Sequence, residues 1–306
     1  LFPEEDGRGH AGETAPHRAQ QQIRSVLPPG TDDLVRRTLL EDIGEGDHTT
    51  LSTIPADVRG AAHLLVKQEG VLAGVELAEA ICLHFDPALR LRTLIQDGAA
   101  VHAGDVAFTL TGPARSILIV ERTVLNFMQR MSGIATLTRR FVEAVNGTGC
   151  KVLDTRKTTP TLRAIEKWAV RIGGGHNHRN GLYDMVMIKD NHADMAGGIP
   201  QAIQAAQRYL KEHGMRLPIE VETRNLSEVE QVLSIPGVQR IMLDNFGLDD
   251  LRTAVDMIDR ACETEASGGI TLATARAVAD TGVEFLSVGA LTHSAGSLDL
   301  SLKAMN

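Results

Sequence analysis

The residues of this chain that can do chemistry sit at the ends of short apolar runs. KVLDT (151–155) leads into Arg156-Lys157, and DMVMIKD (184–190) ends at Lys189-Asp190-Asn191. LPIEVET (217–223) carries Glu220 and Glu222, and VQRIMLD (238–244) ends at Asp244-Asn245. ETEASG (263–268) gives Ser267-Gly268-Gly269, and EFLSVGA (284–290) gives Gly289-Ala290. Sorted by charge, one set is cationic: Arg156, Lys157, Arg179 and Lys189, with His178 beside them. Arginine offers a planar fork for carboxylate or phosphate, and lysine a point charge. The other set is the acid pair Glu222 and Asp244, suited to sugar hydroxyls, a divalent cation or a developing positive charge. The Ser267-Gly268-Gly269 turn and the turn from Gly289-Ala290 offer bare backbone N–H groups of the kind that hold a phosphate. The implied ligand is small, multiply anionic and carries a sugar phosphate.

One further stretch, GGGHNHRNG (173–181), reads alone as a phosphate cradle, a metal site, a nuclease HNH or a loop. A zinc site has only two histidines, spaced i and i+2, with no HExxH and no nearby cysteine. A nuclease is disfavoured by a net charge of −8 and by the lack of a basic stripe. Bland alternatives accompany each candidate. Arg156-Lys157 could end a solvated loop, Glu222 could pair with Arg224, and Ser267-Gly268-Gly269 could be a plain tight turn. His84, His102 and His213 read as ordinary surface or half-buried histidines.

The elements that must position these residues follow from rhythm. The six β-like runs alternate with helical stretches at 199–212, 226–234, 247–261 and 271–281, which is the pattern of parallel βαβ units about thirty residues long. No run is followed by GxGxxG, so a nearly closed barrel is expected rather than a dinucleotide-binding sheet. In such a barrel all strand ends face one way, and the scattered polar residues converge at one mouth. The fifth run is weak by propensity and is included for its place in the rhythm. Before it lies an α+β module to about Ser132. It has a helix over 34–43 capped by Thr31 or Asp32 and stopped at Gly44. A second helix spans 75–85, and an apolar helical stripe runs through Val124, Leu125, Met128, Met131, Ile134 and Ala135. Arg122 near the start of that stripe has no role in a core. Residues 1–30 read as a polar flexible arm. Hydrophobic residues make up 43% of the 306 and aromatics 3%, so the core is aliphatic. Nucleic acid and membrane are not expected partners, since the chain is acidic and its apolar runs are short. Three scattered cysteines suit a reducing, cytoplasmic setting.

The segments ERTVLNFMQRMSGIAT, DTRKTTPTLRAIEKWAV, GGGHNHRNGLYDMVMIKDNH, IEVET, IMLDNF, EASGGI and SVGALTHS stand in an order that resembles the quinolinate phosphoribosyltransferases, from about Leu34 to the C-terminus. The resemblance implies an α/β fold: an N-terminal α/β sandwich domain over 31–132, an incomplete parallel α/β barrel over 133–291, and residues 292–306 packing back on the first domain. It implies decarboxylating transfer from phosphoribosyl pyrophosphate to quinolinate with Mg²⁺, giving nicotinate mononucleotide, pyrophosphate and CO₂. It implies a homodimer in which Arg122, from the ERT motif, enters the partner's site. Carried over, Arg122, Arg156, His178, Arg179 and Lys189 would serve quinolinate. Lys157, Glu222 and Asp244 would serve the phosphoribosyl pyrophosphate as the catalytic set, with the two acids on ribose hydroxyls or Mg²⁺. Ser267, Gly268, Gly269, Gly289 and Ala290 would take the 5′-phosphate. Thr264 stands where the family commonly has Leu, with no functional consequence expected. Two other readings stay in view: a related phosphoribosyltransferase acting on another pyridine or small-ring acid, and a non-catalytic sugar-phosphate-binding barrel.

Overall fold

The computed structural model describes residues 27–305; most of the expected flexible arm (1–30) lies outside the described residues. Two sheets organise the chain. The first is antiparallel, ordered β12-β1-β5-β3, from β1 (Arg59–Val66), β3 (Arg90–Thr93), β5 (Val106–Pro113) and β12 (Leu300–Met305). Short β2 (Gly70–Val71) and β4 (Ala100–Val101) pair beside it. β12 is the end of the chain, and it pairs with β1 from Ala61↔Met305 to Val66↔Leu300. The C-terminus is therefore built into the N-terminal sheet.

The second sheet is parallel, ordered β6-β11-β10-β9-β8-β7. Its strands are β6 (Lys151–Leu153), β7 (Val186–Ile188), β8 (Ile219–Thr223), β9 (Arg240–Asp244), β10 (Glu263–Ser267) and β11 (Phe285–Ser287). All six predicted runs contain one of these strands, each starting at or up to two residues inside the run. The ring stays open between β6 and β7. There the segment around His176 lies beside β6, with Leu153 and His176 bridged in parallel. Helices Ile199–Glu212, Leu226–Leu233, Leu248–Ile258 and Leu272–Ala279 occupy the expected links. Helices Arg163–Ile172 and Asp190–Ala196 were not anticipated.

One 31-residue helix, Ala114–Ala144, joins the two sheets. Its buried stripe of Val120, Val124, Met128, Met131, Ile134, Ala135 and Phe141 continues at helical spacing across residue 132. The division read at Ser132 thus falls inside a continuous helix that belongs to both halves. The expected cap at Thr31 or Asp32 is also corrected. Thr31 is the first helical residue, Gly30 caps the helix at φ 82°, and the Thr31 hydroxyl donates to the Pro28 carbonyl at 2.6 Å.

Candidate active site

Strand alternation decides what the barrel holds. Side chains two apart share a face. In β9 the apolar Ile241 and Leu243 are fully buried under the outer helices, while Met242 and Asp244 line the interior. In β10, Glu265 and Ser267 point inward in the same way, and β8 sends Glu220 deep and Glu222 to the mouth. Polar groups fill the ring because the aliphatic residues are spent on the helix side.

A cavity of about 700 Å³ opens at the carboxyl ends of the strands. Every residue assigned a substrate role lines it except Arg122: Arg156, Lys157, His178, Arg179, Lys189, Glu222, Asp244, Ser267, Gly268, Gly269, Gly289 and Ala290; the strand-end residues Asp190, Asn191 and Glu220 do not. Arg122 is exposed on the long helix, outside the cavity of its own chain. Asn245, named with Asp244 at its strand end, also lines the cavity, as do Thr271, Ser287 and His293, which carried no assigned role. Each lies next to, or within four residues of, a strand-end residue that did.

On the cationic side, Arg156 Nε is buried without a hydrogen bond. Burial and the charge of Arg156 both lower the pKa of Arg179, whose guanidinium reaches only the Met185 carbonyl at 3.4 Å. Glu220 and Asp184 offset part of this repulsion from a distance, and two guanidiniums with no direct carboxylate partner among the described residues make a site for a carboxylate. On the other side, Lys189 Nζ pairs with Glu222 Oε2 at 3.1 Å. The alternative pairing of Glu222 with Arg224 does not occur, because Arg224 binds Glu228 and Asp194. Glu222 and Asp244 are hard oxygen donors on neighbouring strands and suit a Mg²⁺ ion. At the Ser-Gly-Gly turn, Gly268 has φ 95°, and a Cβ there would sit 2.1 Å from Asn245 Oδ1. Only glycine brings the backbone this close.

GGGHNHRNG proves to be a pinned loop. A Cβ on Gly173 would meet the Ala135 carbonyl at 2.5 Å, so this glycine lets the loop pack against the long helix. Beneath it, Lys167 and Asp154 form a fully buried ion pair. Asp154 also accepts from Asn177 Nδ2 at 2.5 Å and the His178 N–H at 2.8 Å, and Lys167 donates to the His178 carbonyl at 3.0 Å. Burial pushes Asp154 up and Lys167 down, and each partner offsets the other's shift. Asp154, at the end of the KVLDT run, is therefore a structural anchor.

His178 was expected among the cations facing a ligand. It lines the cavity and is largely buried, with Nε2 at 3.0 Å from Glu220 Oε2 and 3.4 Å from Glu265 Oε2. Burial works against its charge, but the two acids outweigh it and raise the pKa to about 9. The Arg179 N–H donates to Nδ1 at 2.7 Å, which favours the neutral ring. His178, Glu220 and Glu265 lie close enough together to hold a metal, and the approach of Nε2 to two carboxylates suits a donated proton. A ligating nitrogen needs its lone pair, and a ligating His donates from its other nitrogen. Arg240 adds positive charge to the cluster, 2.9 Å from Glu265 Oε2.

Comparison with known proteins agrees with this architecture. Residues 47–132 match "Quinolinate phosphoribosyl transferase, N-terminal domain", and residues 134–303 match the C-terminal domain of the same family. A tobacco (Nicotiana tabacum) protein named quinolinate phosphoribosyltransferase [decarboxylating] 1b is 47% identical, over 91% of this chain and 85% of its own. A probable nicotinate-nucleotide pyrophosphorylase [carboxylating] of Synechocystis is 43% identical, over 91% of this chain and 95% of its own. The solved structure of nicotinate-nucleotide pyrophosphorylase from Francisella tularensis superposes with a TM-score of 0.86 at 38% identity, covering 92% of this chain and 99% of its own.

Proposed function

The chain belongs to the quinolinate phosphoribosyltransferase family, and from that premise we propose that its barrel mouth joins quinolinate to phosphoribosyl pyrophosphate, giving nicotinate mononucleotide, pyrophosphate and CO₂. The observation that carries the reading is the division of one cavity. Arg156 and Arg179 line it beside the opening between β6 and β7, Glu222 and Asp244 stand on β8 and β9, and the turns after β10 and β11 lie between β9 and β6. Such a division suits a dicarboxylate and a sugar phosphate held face to face. A simple phosphate-binding barrel needs neither the guanidinium pair nor the acid pair.

Arg156 and Arg179 hold the quinolinate carboxylates, and Lys189 joins them once Glu222 is engaged by the second substrate. Ser267, Gly268, Gly269, Gly289 and Ala290 receive the 5′-phosphate, and Lys157 faces the pyrophosphate. Glu222 and Asp244 hold the ribose hydroxyls and would hold Mg²⁺, which when bound offsets the charge of the pyrophosphate. Cleavage of the C1–O bond sends its electron pair to pyrophosphate and leaves cationic character on the ribose, which the two acids stabilise. The pyridine nitrogen then donates its lone pair to C1. The C2–carboxylate bond breaks to CO₂, its electron pair stays on C2 beside the ring cation, and C2 takes a proton from solvent. No side chain becomes covalently attached, and the catalysis is positioning plus electrostatics.

The same reading includes a homodimer. Arg122 stands exposed on the long helix with exposed Leu118 one turn before it, and it would complete the partner's carboxylate clamp. It also includes a cytoplasmic location, which imaging of the tagged full-length protein would test. The reaction itself is tested by substrate choice. Quinolinate should turn over, and nicotinate, lacking the second carboxylate, should be a poor substrate. Comparable turnover of nicotinate would instead favour a phosphoribosyltransferase for another pyridine acid.

A further inference from the structure

Arg130 and Glu166 do not line the cavity, and the proposed reaction gives them no role. Their bonding is nevertheless extensive. Arg130, on the long helix, donates from Nε and Nη2 to Glu166 Oε1 at 3.2 and 2.8 Å. It also donates from Nη1 to the Ala295 carbonyl at 3.0 Å and from Nη2 to the Thr292 carbonyl. Glu166 is fully buried, and its Oε2 accepts the Thr159 N–H at 3.0 Å. Thr292 closes the circuit by donating from Oγ1 to the Lys157 carbonyl at 2.9 Å.

These bonds tie together two active-site elements that are far apart in sequence. Glu166 grips the loop that carries Lys157. Arg130 grips the short helix Ala290–His293, which begins in the turn assigned to the 5′-phosphate. The two elements touch directly, since a Cβ on Gly289 would lie 3.1 Å from Lys157 Cδ. Strain marks the same place. Thr161, between the Thr159 anchor and the helix Arg163–Ile172, is held at φ 69°, a costly conformation for a β-branched residue that persists only where neighbours over-determine the chain.

We infer that Arg130 and Glu166 are positioning residues for the phosphoribosyl half of the site, fixing the separation between the Lys157 loop and the Gly289-Ala290 turn without touching substrate. This rests on the proposed assignment of those two elements to phosphoribosyl pyrophosphate. A merely structural ion pair would change the amount of folded protein. A positioning pair changes one substrate's parameters in protein that is fully folded.

The test is steady-state kinetics for both substrates, with quinolinate binding measured separately, in Glu166→Gln and Arg130→Lys. The glutamine has a single acceptor and cannot serve both Arg130 and Thr159. The lysine keeps the charge but cannot span three acceptors. In variants with wild-type circular dichroism, KM for phosphoribosyl pyrophosphate should rise about tenfold or more while quinolinate affinity changes less than about threefold. Thr292→Val breaks the loop–turn link without unpairing a buried charge, so it keeps the test open if the charge variants do not fold. It should give the same selective rise, smaller in size. Unchanged KM in the folded variants, equal losses for both substrates, or a loss that tracks only the folded fraction would overturn the inference. Lys157→Ala, assayed alongside, separates the failures. A raised KM there with an unchanged KM in Glu166→Gln sinks the brace alone. An unchanged KM in Lys157→Ala sinks the loop's assignment and the inference with it.

Discussion

The two halves of this molecule bury different things. Up to residue 144 the buried polar side chains among the described residues are hydroxyls: Thr31, Thr50, Ser116, Thr123, Ser132 and Thr138. Beyond it, the barrel half buries Asp154, Glu166, Lys167, His178, Glu220, Glu228 and Glu265. Hydroxyls satisfy local backbone groups at little cost. Ser132 Oγ, for example, accepts from the Ala73 N–H at 2.9 Å and donates to the Ala73 carbonyl at 3.1 Å. Buried charges need partners with exact geometry and gain little net stability from it. The N-terminal half is thus built as a packed support, and the barrel half accepts electrostatic cost to hold a polar interior and a pinned loop.

The sharpest way to break this contrast is to unpair a charge. Lys167→Ala leaves Asp154 buried without its cation, and should destabilise the protein by about 3–5 kcal/mol in denaturant unfolding. Ser132→Ala in the other half should cost only about 1–3 kcal/mol. Equal losses would mean that the barrel charges are not the strained element.

The next effect concerns ligand rather than fold. Arg179→Ala should weaken quinolinate binding by about 2–5 kcal/mol and phosphoribosyl pyrophosphate much less, as read by calorimetry. Equal weakening of both would contradict the division of the cavity into two sides.

The smallest effect lies at a place where the N-terminal half departs from its rule. Asp97 is mostly buried, and burial raises its pKa from 3.8 to about 6 against the N–H bonds it accepts, including that of Val75 at 2.9 Å. Its folded pKa lies above its unfolded value, so between about pH 4 and pH 6 the folded state holds more proton. Its contribution to stability therefore falls as pH rises through that window, by about 3 kcal/mol in all. Asp97→Asn keeps an oxygen for Val75 and removes the charge. It should stabilise the protein by about 1–3 kcal/mol above pH 7 and flatten the slope below pH 6. Destabilisation at pH 8 would show that the charge is needed.

These halves were not equally legible in sequence. The strand ends of the barrel could be read because the chain changes there from apolar to polar or glycine, and the register of a parallel barrel brings every such end to one mouth. ETEAS looked weak as a strand because its inward positions are Glu265 and Ser267, which an apolar ring would have filled with Val or Ile. The buried pairs Asp154–Lys167 and Arg130–Glu166 were not legible. A pair distant in sequence and of opposite charge has no local signature, and Asp154 at a strand end resembles its neighbours Arg156 and Lys157. The inward turn of His178 was hidden for the same reason, since its acids lie on β8 and β10. The long helix was readable from its stripe of Val124, Leu125, Met128, Met131, Ile134 and Ala135, which runs on across residue 132.

Arg122 is where the two halves would meet in function: a residue of the supporting half serving the chemical half of another copy. Subunit exchange tests this most directly. Arg122→Ala and Arg156→Ala should each be nearly inactive alone, since each removes one clamp arm from every site. Mixed and allowed to exchange, they should recover about a quarter of wild-type activity, because half the dimers are mixed and one site in each mixed dimer carries neither lesion. A mixture shown to have exchanged subunits that still forms no nicotinate mononucleotide would contradict the shared site.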